Sequence, residues 1–276
     1  MAVETTVATG ATAAGVRPAA RPRRGRYRLG IYLARLALVA AVLGAWQLTT
    51  SNGWLDPTTY GHPSGIWDAI VHYLPSSHNL ISLGATGEAV LYTFVIGSVL
   101  GTAAGLILGL TDTLNDIIGP VLAPINSIPR IALAPLFIAW FGLTTTAKVV
   151  LGVSIVFFIL AENARAAVRS VDHDAMTMAR VVGLGKIAIL WKVVLPSAVP
   201  TMIAGLRLTF TYSLLGVIAS EMIAATHGIG QDIVLYSSSF QINTVFAILL
   251  ELVVISVFVN WLFTVAERRL LVWQET

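Results

Sequence analysis

Arg130, Glu162, Arg207, Glu221 and Glu251 all sit in, or at the edge of, long apolar runs of this 276-residue chain. Charge in hydrocarbon is expensive, so such groups pair with one another or face a cavity through which solutes or ions move. Glu162 and Arg165 stand three residues apart, on one helical face, and read as a local ion pair. Arg130 directly follows Pro129. Facing lipid, it would cost roughly 2.5–3.5 kcal/mol, so it belongs in the bundle interior or near the inner surface. Glu221, shortly before the turn Gly228-Ile229-Gly230, either lines the outer mouth of a pathway or closes packing there. Pro129, Arg130 and Glu221 are therefore the pathway or gating residues to test.

Other chemistry is excluded. The chain has no cysteine, which removes disulfides, thiolate metal sites and thiol nucleophiles. His62, His72 and His78 are widely spaced in one loop and make no metal site. Gly185-Lys186 is followed by Ile187, and Arg180 stands where a phosphate-binding loop needs its first glycine. No catalytic residue, bound cofactor or nucleic-acid partner is expected of this chain.

The elements that position these residues are membrane spans. Hydrophobic residues make up 56% of the chain and charged residues 11%, against roughly 25% charged in soluble domains. The predicted class is an all-α polytopic membrane protein of about six helices, covering 29–48, 89–110, 117–141, 143–161, 198–225 and 245–265. Residues 1–28 read as a disordered tail carrying an arginine cluster, 29–87 as the first span with an outer loop, and 270–276 as a C-terminal tail. Arginine and lysine fall at the start, at 165–192 and at 268–269, whereas the outer loops 51–87, 142–147 and 227–244 contain none. Lys148 is the one basic residue on that side. The asymmetry predicts both termini in the cytoplasm.

Two spans carry special patterns. Gly97, Gly101, Gly105 and Gly109 recur every four residues, so they share one face and invite close helix packing, within a bundle or across a dimer. Pro120, Pro124, Pro129 and Pro135 all fall in the third span. Each removes a backbone donor, which predicts a kinked or partly unwound helix of the kind found beside transport pathways.

Between the fourth and fifth spans lies a stretch too polar to cross a bilayer, residues 174–196. Asp172 or Asp174 caps a helix that runs to Val182, where Gly183 and Gly185 break it. A second helix runs from Lys186 and is expected to end before Pro196. Met176, Ala179, Val182 and Leu184 are predicted to form an apolar face, with Arg180, Lys186 and Lys192 as a basic one. Physics alone leaves two readings open: a docking surface for a soluble partner, or an element lying on the headgroups.

This stretch resembles the cytoplasmic EAA loop of ABC-importer permeases, in which E-A-A is followed by a glycine and then by I-x-L-P. Here Thr177-Met178-Ala179 stands at E-A-A, followed by Gly183 and by Val193-Val194-Leu195-Pro196. The resemblance extends over Ser127-Ile128-Pro129-Arg130, Trp140-Phe141-Gly142 and Ala219-Ser220-Glu221 through Gly228-Ile229-Gly230, and so covers about 88–269. It is similar in particular to permeases of the nitrate, aliphatic sulfonate, taurine and bicarbonate group. Thr177 and Met178 depart from the glutamate and first alanine, and Asp174, one turn earlier, is a substitute carboxylate.

The resemblance implies a type I importer fold in the cytoplasmic membrane with a core at 88–269. It also implies a second permease copy, two ATPase subunits that hold ATP and magnesium, and a substrate-binding protein. Asp174, Thr177, Met178, Ala179, Arg180, Gly183, Leu195 and Pro196 would then couple to the ATPase through the segment 164–196. Two competing readings are a stand-alone proton- or ion-coupled carrier and a membrane anchor that transports nothing.

Overall fold

The computed structural model describes residues 24–270, and every regular element within them is helical. The chain divides at Leu48–Thr49 into two units. In the first, α1 (Arg24–Ser51) is a single apolar helix with nearly all its described side chains exposed, as a lipid-facing span requires. It begins at Arg24, so the tail predicted as disordered through 28 is helical over its last five residues. Residues 1–23 and the tail from 271 lie outside the described part of the chain.

The predicted loop 51–87 is largely helical. It contains α2 (Pro57–Tyr60), α3 (Pro63–His72) and the first three turns of α4 (Ser77–Leu110). The prolines of α2 and α3 stand in the first turn, where no donor is needed. Ser76 caps α4, its hydroxyl accepting from the Asn79 N–H at 3.2 Å. The predicted span 89–110 is only the second part of α4, and Glu88, which precedes it, lies well inside the helix.

The glycine repeat of α4 packs against α7 (Thr145–Arg169) of the same chain. A methyl group on Gly97 would meet Val156, one on Gly101 would come 2.6 Å from the Phe157 carbonyl, one on Gly105 would strike the Ala161 carbonyl, and one on Gly109 would approach Val168 to 2.6 Å. The contacts advance by four residues on both helices together, so α4 and α7 run parallel. Leu110 and Thr145 are consequently at opposite ends of the bundle, and the 34 residues between them must cross it.

That crossing is the broken span. It comprises α5 (Asp112–Asn126), a 3-10 turn (Arg130–Leu133) and α6 (Ala134–Phe141), with the two arms bent by 80°. Pro120 and Pro124 lie inside α5, Pro129 opens the 3-10 turn, and Pro135 sits in the first turn of α6. Among the described residues five helices are long and apolar enough to span, and the bent pair, counted as one span, makes six.

Beyond α7 come α8 (His173–Val181), the short α9 (Lys186–Ile189) and a π turn (Leu190–Val194). The remaining helices are α10 (Leu195–Ile223), α11 (Ile229–Ser238) and α12 (Ile242–Leu270). Pro196 does not end a helix, contrary to expectation. The Leu195 N–H donates to the Leu190 carbonyl across the wide turn, and Pro196 enters in the first turn of α10, so the helical path continues into the span.

Candidate functional site

The most distinctive local geometry is at α8. Asp172 supplies its cap, accepting from the Asp174 N–H at 3.0 Å. At the other end Gly183 adopts φ +82°, a left-handed conformation that glycine takes without a Cβ penalty. The Leu184 N–H then reaches the Ala179 carbonyl and the Gly183 N–H the Arg180 carbonyl, both at 3.0 Å. This paired cap turns the chain sharply and fixes how α8 projects.

Ala179, Ile189 and Val194 are buried, with Met176, Leu184 and Val193 packed beside them, against Val168 of α7 and Leu106 and Leu110 of α4. The opposite face is apolar but uncovered: Met178 is 69% exposed, Val181 82% and Val182 75%. Val182, whose N–H still donates to the Met178 carbonyl at 3.0 Å, keeps the helical register and shares the face of Met178 and Val181 rather than that of Met176, Ala179 and Leu184. Asp174, Thr177, Arg180 and Gly183 are exposed, as is Pro196, while Leu195 is half-buried. Met176 and Arg180 also border the turn at Thr111 and Asp112 that leads into the broken span.

Arg130 mends the break. The carbonyl of Ile125 would bond the N–H four residues on, but that residue is Pro129. The Arg130 guanidinium donates to Ile125 O at 2.9 Å and also to the Ser154 carbonyl of α7. Its carbon lies 3.8 Å from the Phe158 ring centroid, a cation–π contact that takes the place of hydration. Arg130, Asn126, Ile155, Ile159, Tyr212 and Leu215 line a cavity of about 290 Å³. Asn126 and Phe158 also border a second, smaller cavity that holds Glu162 and Arg165. The expected ion pair is present there, Arg165 to Glu162 at 2.6 Å, and Arg165 further donates to Asn115 of α5 at 2.9 Å.

Glu221 has a packing role. Its carboxylate is fully buried and accepts from Lys148 Nζ at 2.9 Å, from the Thr86 hydroxyl at 2.9 Å and from the Gly230 N–H at 2.9 Å. Lys148 also donates to the His227 carbonyl at 2.6 Å, and Thr86 accepts from the Ile229 N–H at 2.9 Å. One ion pair thus pins α4, α7, α10 and α11 at the end of the bundle opposite α8. Gly228, at φ +132°, packs against Glu221 so closely that any side chain would collide. This pairing was readable in principle, since Lys148 is the lone basic residue of its side.

Arg207, Glu251 and Asp232 also have partners. Arg207 donates to Glu267 of α12 at 2.6 Å, and Asn79 donates to Glu251 at 3.1 Å. Asp232 accepts from the Tyr73 hydroxyl and contacts His78 Nε2, both at 3.0 Å, tying α11 to the start of α4. Burial and then the Asp232 carboxylate push the Tyr73 phenol far above its ordinary value, so it stays protonated and remains a donor. His62, His72 and His78 border one cavity, but no group of three side chains placed to hold a metal occurs among the described residues.

Six crossings, a broken span lined by a cavity, and a polar segment projecting from one end define a helical membrane permease. The chain belongs to the family described as the binding-protein-dependent transport system inner membrane component, which matches residues 97–272. It is an ABC-importer permease subunit, a non-catalytic class. It is 28% identical over 258 residues to the SsuC permease protein of Bacillus subtilis, named for aliphatic sulfonates transport, covering 94% of this chain and 93% of that one. The SsuC protein of Escherichia coli is 33% identical over 193 residues, 70% of this chain and 73% of that protein. In E. coli the taurine transport system permease protein TauC is 30% identical over 146 residues, 53% of each chain. Among solved structures, an inward-facing MetNI methionine ABC transporter matches with a TM-score of 0.60 at 19% identity, covering 67% of this chain and 93% of that chain. At that identity the likeness speaks for the fold alone.

Proposed function

We propose that this permease moves a small anionic solute of the sulfonate, taurine, nitrate and bicarbonate kind into the cell, driven by a separate ATPase that docks on α8. The observation that carries this reading is the uncovered apolar face of Met178, Val181 and Val182 on a helix whose projection is fixed by the Gly183 cap. An apolar patch at the tip of a polar segment suits a groove on a soluble partner. Its buried side rests on α4 and α7, so a push on α8 reaches the broken span through the turn at Asp112.

In this reading α8 and both termini face the cytoplasm of the inner membrane. Two copies of the chain form the pathway, two ATPase subunits hold ATP and magnesium, and a binding protein delivers the solute from outside. Nucleotide binding can bias the bundle only by favouring one arrangement over the other. The relatives named for sulfonates and taurine, together with Arg130 at the break, support an anion.

Two outcomes test the reading. Val181→Asp places a charge in the docking face without touching the core. It is expected to weaken ATPase association by about 2 kcal/mol or more, roughly 30-fold, with normal membrane levels. Co-purification and ATP-driven uptake in proteoliposomes measure this; undiminished association would refute the docking site. Arg130→Ala uncaps Ile125 and should lower uptake while the complex still assembles. Arg130→Lys should rescue little, because one ammonium cannot reproduce a planar fork spanning two carbonyls and a ring. Full uptake by either variant would remove Arg130 from the mechanism.

A further inference from the structure

The exposed faces of the spans are not alike. On α12 the exposed positions of the central span are Leu249, Leu250, Val253, Val254, Val257 and Phe258, all apolar, and its Ser256 and Asn260 turn inward. On α4 the exposed positions between Leu91 and Ile107 are apolar apart from Tyr92. These faces have the composition that hydrocarbon selects. The exposed stripe of α10 differs. At intervals of three or four residues it presents Ser197, Thr201, Ala204, Leu208, Thr211 and Tyr212, so that hydroxyls alternate with apolar groups along several turns. The opposite side of the same helix is packed, with Ile203, Thr209, Ser213 and Val217 buried. Nothing in the helix itself requires the exposed stripe to be polar.

The stripe also leads somewhere. Tyr212 and Leu215 form one wall of the cavity that holds Arg130 and Asn126, and Asn126 is shared with the neighbouring cavity of Glu162 and Arg165. Hydroxyls, an amide and a guanidinium thus follow one another along a single side of the bundle. Ser197 donates to the Val193 carbonyl at 2.9 Å and Thr211 to the Arg207 carbonyl at 3.4 Å. Such back-bonding uses the hydroxyl hydrogen and leaves the acceptor lone pairs directed outward.

From this contrast we infer that the Thr201–Tyr212 stripe of α10 is a water-exposed wall of the translocation pathway, with Tyr212 a specificity-determining residue beside Arg130. The inference deepens the importer reading and rests on it. Tyr212 offers the solute one phenolic donor next to the guanidinium, which together suit an oxyanion better than a neutral molecule.

The natural chain contains no cysteine, so single-cysteine variants report position directly. Thr201→Cys and Tyr212→Cys are compared with Val254→Cys and Phe258→Cys in nanodiscs, in complex with the ATPase and without nucleotide. The probe is the membrane-impermeant cation methanethiosulfonate ethyltrimethylammonium. A thiol must ionise to react, which water permits and hydrocarbon opposes, so the α10 pair should react about tenfold faster or more than the α12 pair. Equal rates overturn the inference. So does rapid Tyr212→Cys disulfide formation between two copies with no labelling, which would make the stripe a dry seam.

The contrast needs no transport, so the two readings fail separately. Labelling contrast without ATP-driven uptake would sink the importer reading alone, and uptake without contrast would sink the pathway wall alone. Tyr212→Phe adds a second readout, a severalfold rise in the uptake KM for the anion with little change in maximal rate. An unchanged KM would withdraw the specificity role.

Discussion

Lys148→Met is expected to destabilise the bundle by about 3–5 kcal/mol, because it leaves the Glu221 carboxylate buried without its cation. The side chains of Lys148 and Glu221 are 8% and 0% exposed, so water cannot take over. The Gly230 N–H and the Thr86 hydroxyl would remain, but both are neutral donors. Stability of purified protein in mild detergent, followed by denaturant or thermal unfolding, gives the measurement. The double variant Lys148→Met with Glu221→Gln removes both charges at once and should recover a large part of the loss. A single variant as stable as the parent would mean that the pair is not closed in the working protein. Glu221→Gln alone should also be destabilising, with Lys148 still held by the His227 carbonyl. Together the three variants separate the ion pair from the hydrogen bonds around it.

The second large effect is expected on the α4–α7 seam. Gly105→Leu would drive a side chain into the backbone carbonyl of Ala161 and the Cβ of Ala164. Backbone cannot rotate aside as a long side chain can, so the helices must separate, and the neighbouring contacts at Gly101 and Gly109 open with them. Overpacking of this kind costs about 1–3 kcal/mol or more. In a membrane, where close van der Waals packing drives helix association, the loss falls directly on assembly. Membrane levels should drop sharply. Gly84→Leu, higher on the same helix with open space around its Cβ, should be tolerated. Equal levels for the two variants would show that the seam does not depend on small residues.

Much of the architecture was legible because its signals are short-range. Long apolar runs give the spans, the four-residue glycine repeat gives a packing face, and prolines at 120, 124, 129 and 135 give the break. Gly183 is predicted as a helix stop and is one, since a left-handed residue acts within a single turn. Pro196 misled the reading of its own neighbourhood. A proline lacks its N–H in any helix, but the clash of its ring with the carbonyl four residues back belongs to an α turn, and here a wider π turn precedes it. Val182 was assigned to the wrong face because it stands three residues after Ala179 and four after Met178, and the packing of α8 on α4 and α7 buries Ala179 while leaving the Met178 side uncovered. The loop 51–87 looked like a connector because its helices are short and its prolines stand in their first turns.

By itself the sequence determined that this is a multi-pass membrane chain, where it is polar, where one span must break and which helix face is small enough to pack. Those properties follow from hydrophobicity, backbone freedom and periodicity, each expressed within a few residues. Only the tertiary structure decided that Glu221 meets Lys148, that Arg130 caps Ile125 and Ser154, and that Ser197, Thr201 and Thr211 of α10 stand outside while Ser256 and Asn260 of α12 turn in. Each is a choice among partners far apart along the chain, and it is made by the packing of whole helices, which no local pattern encodes.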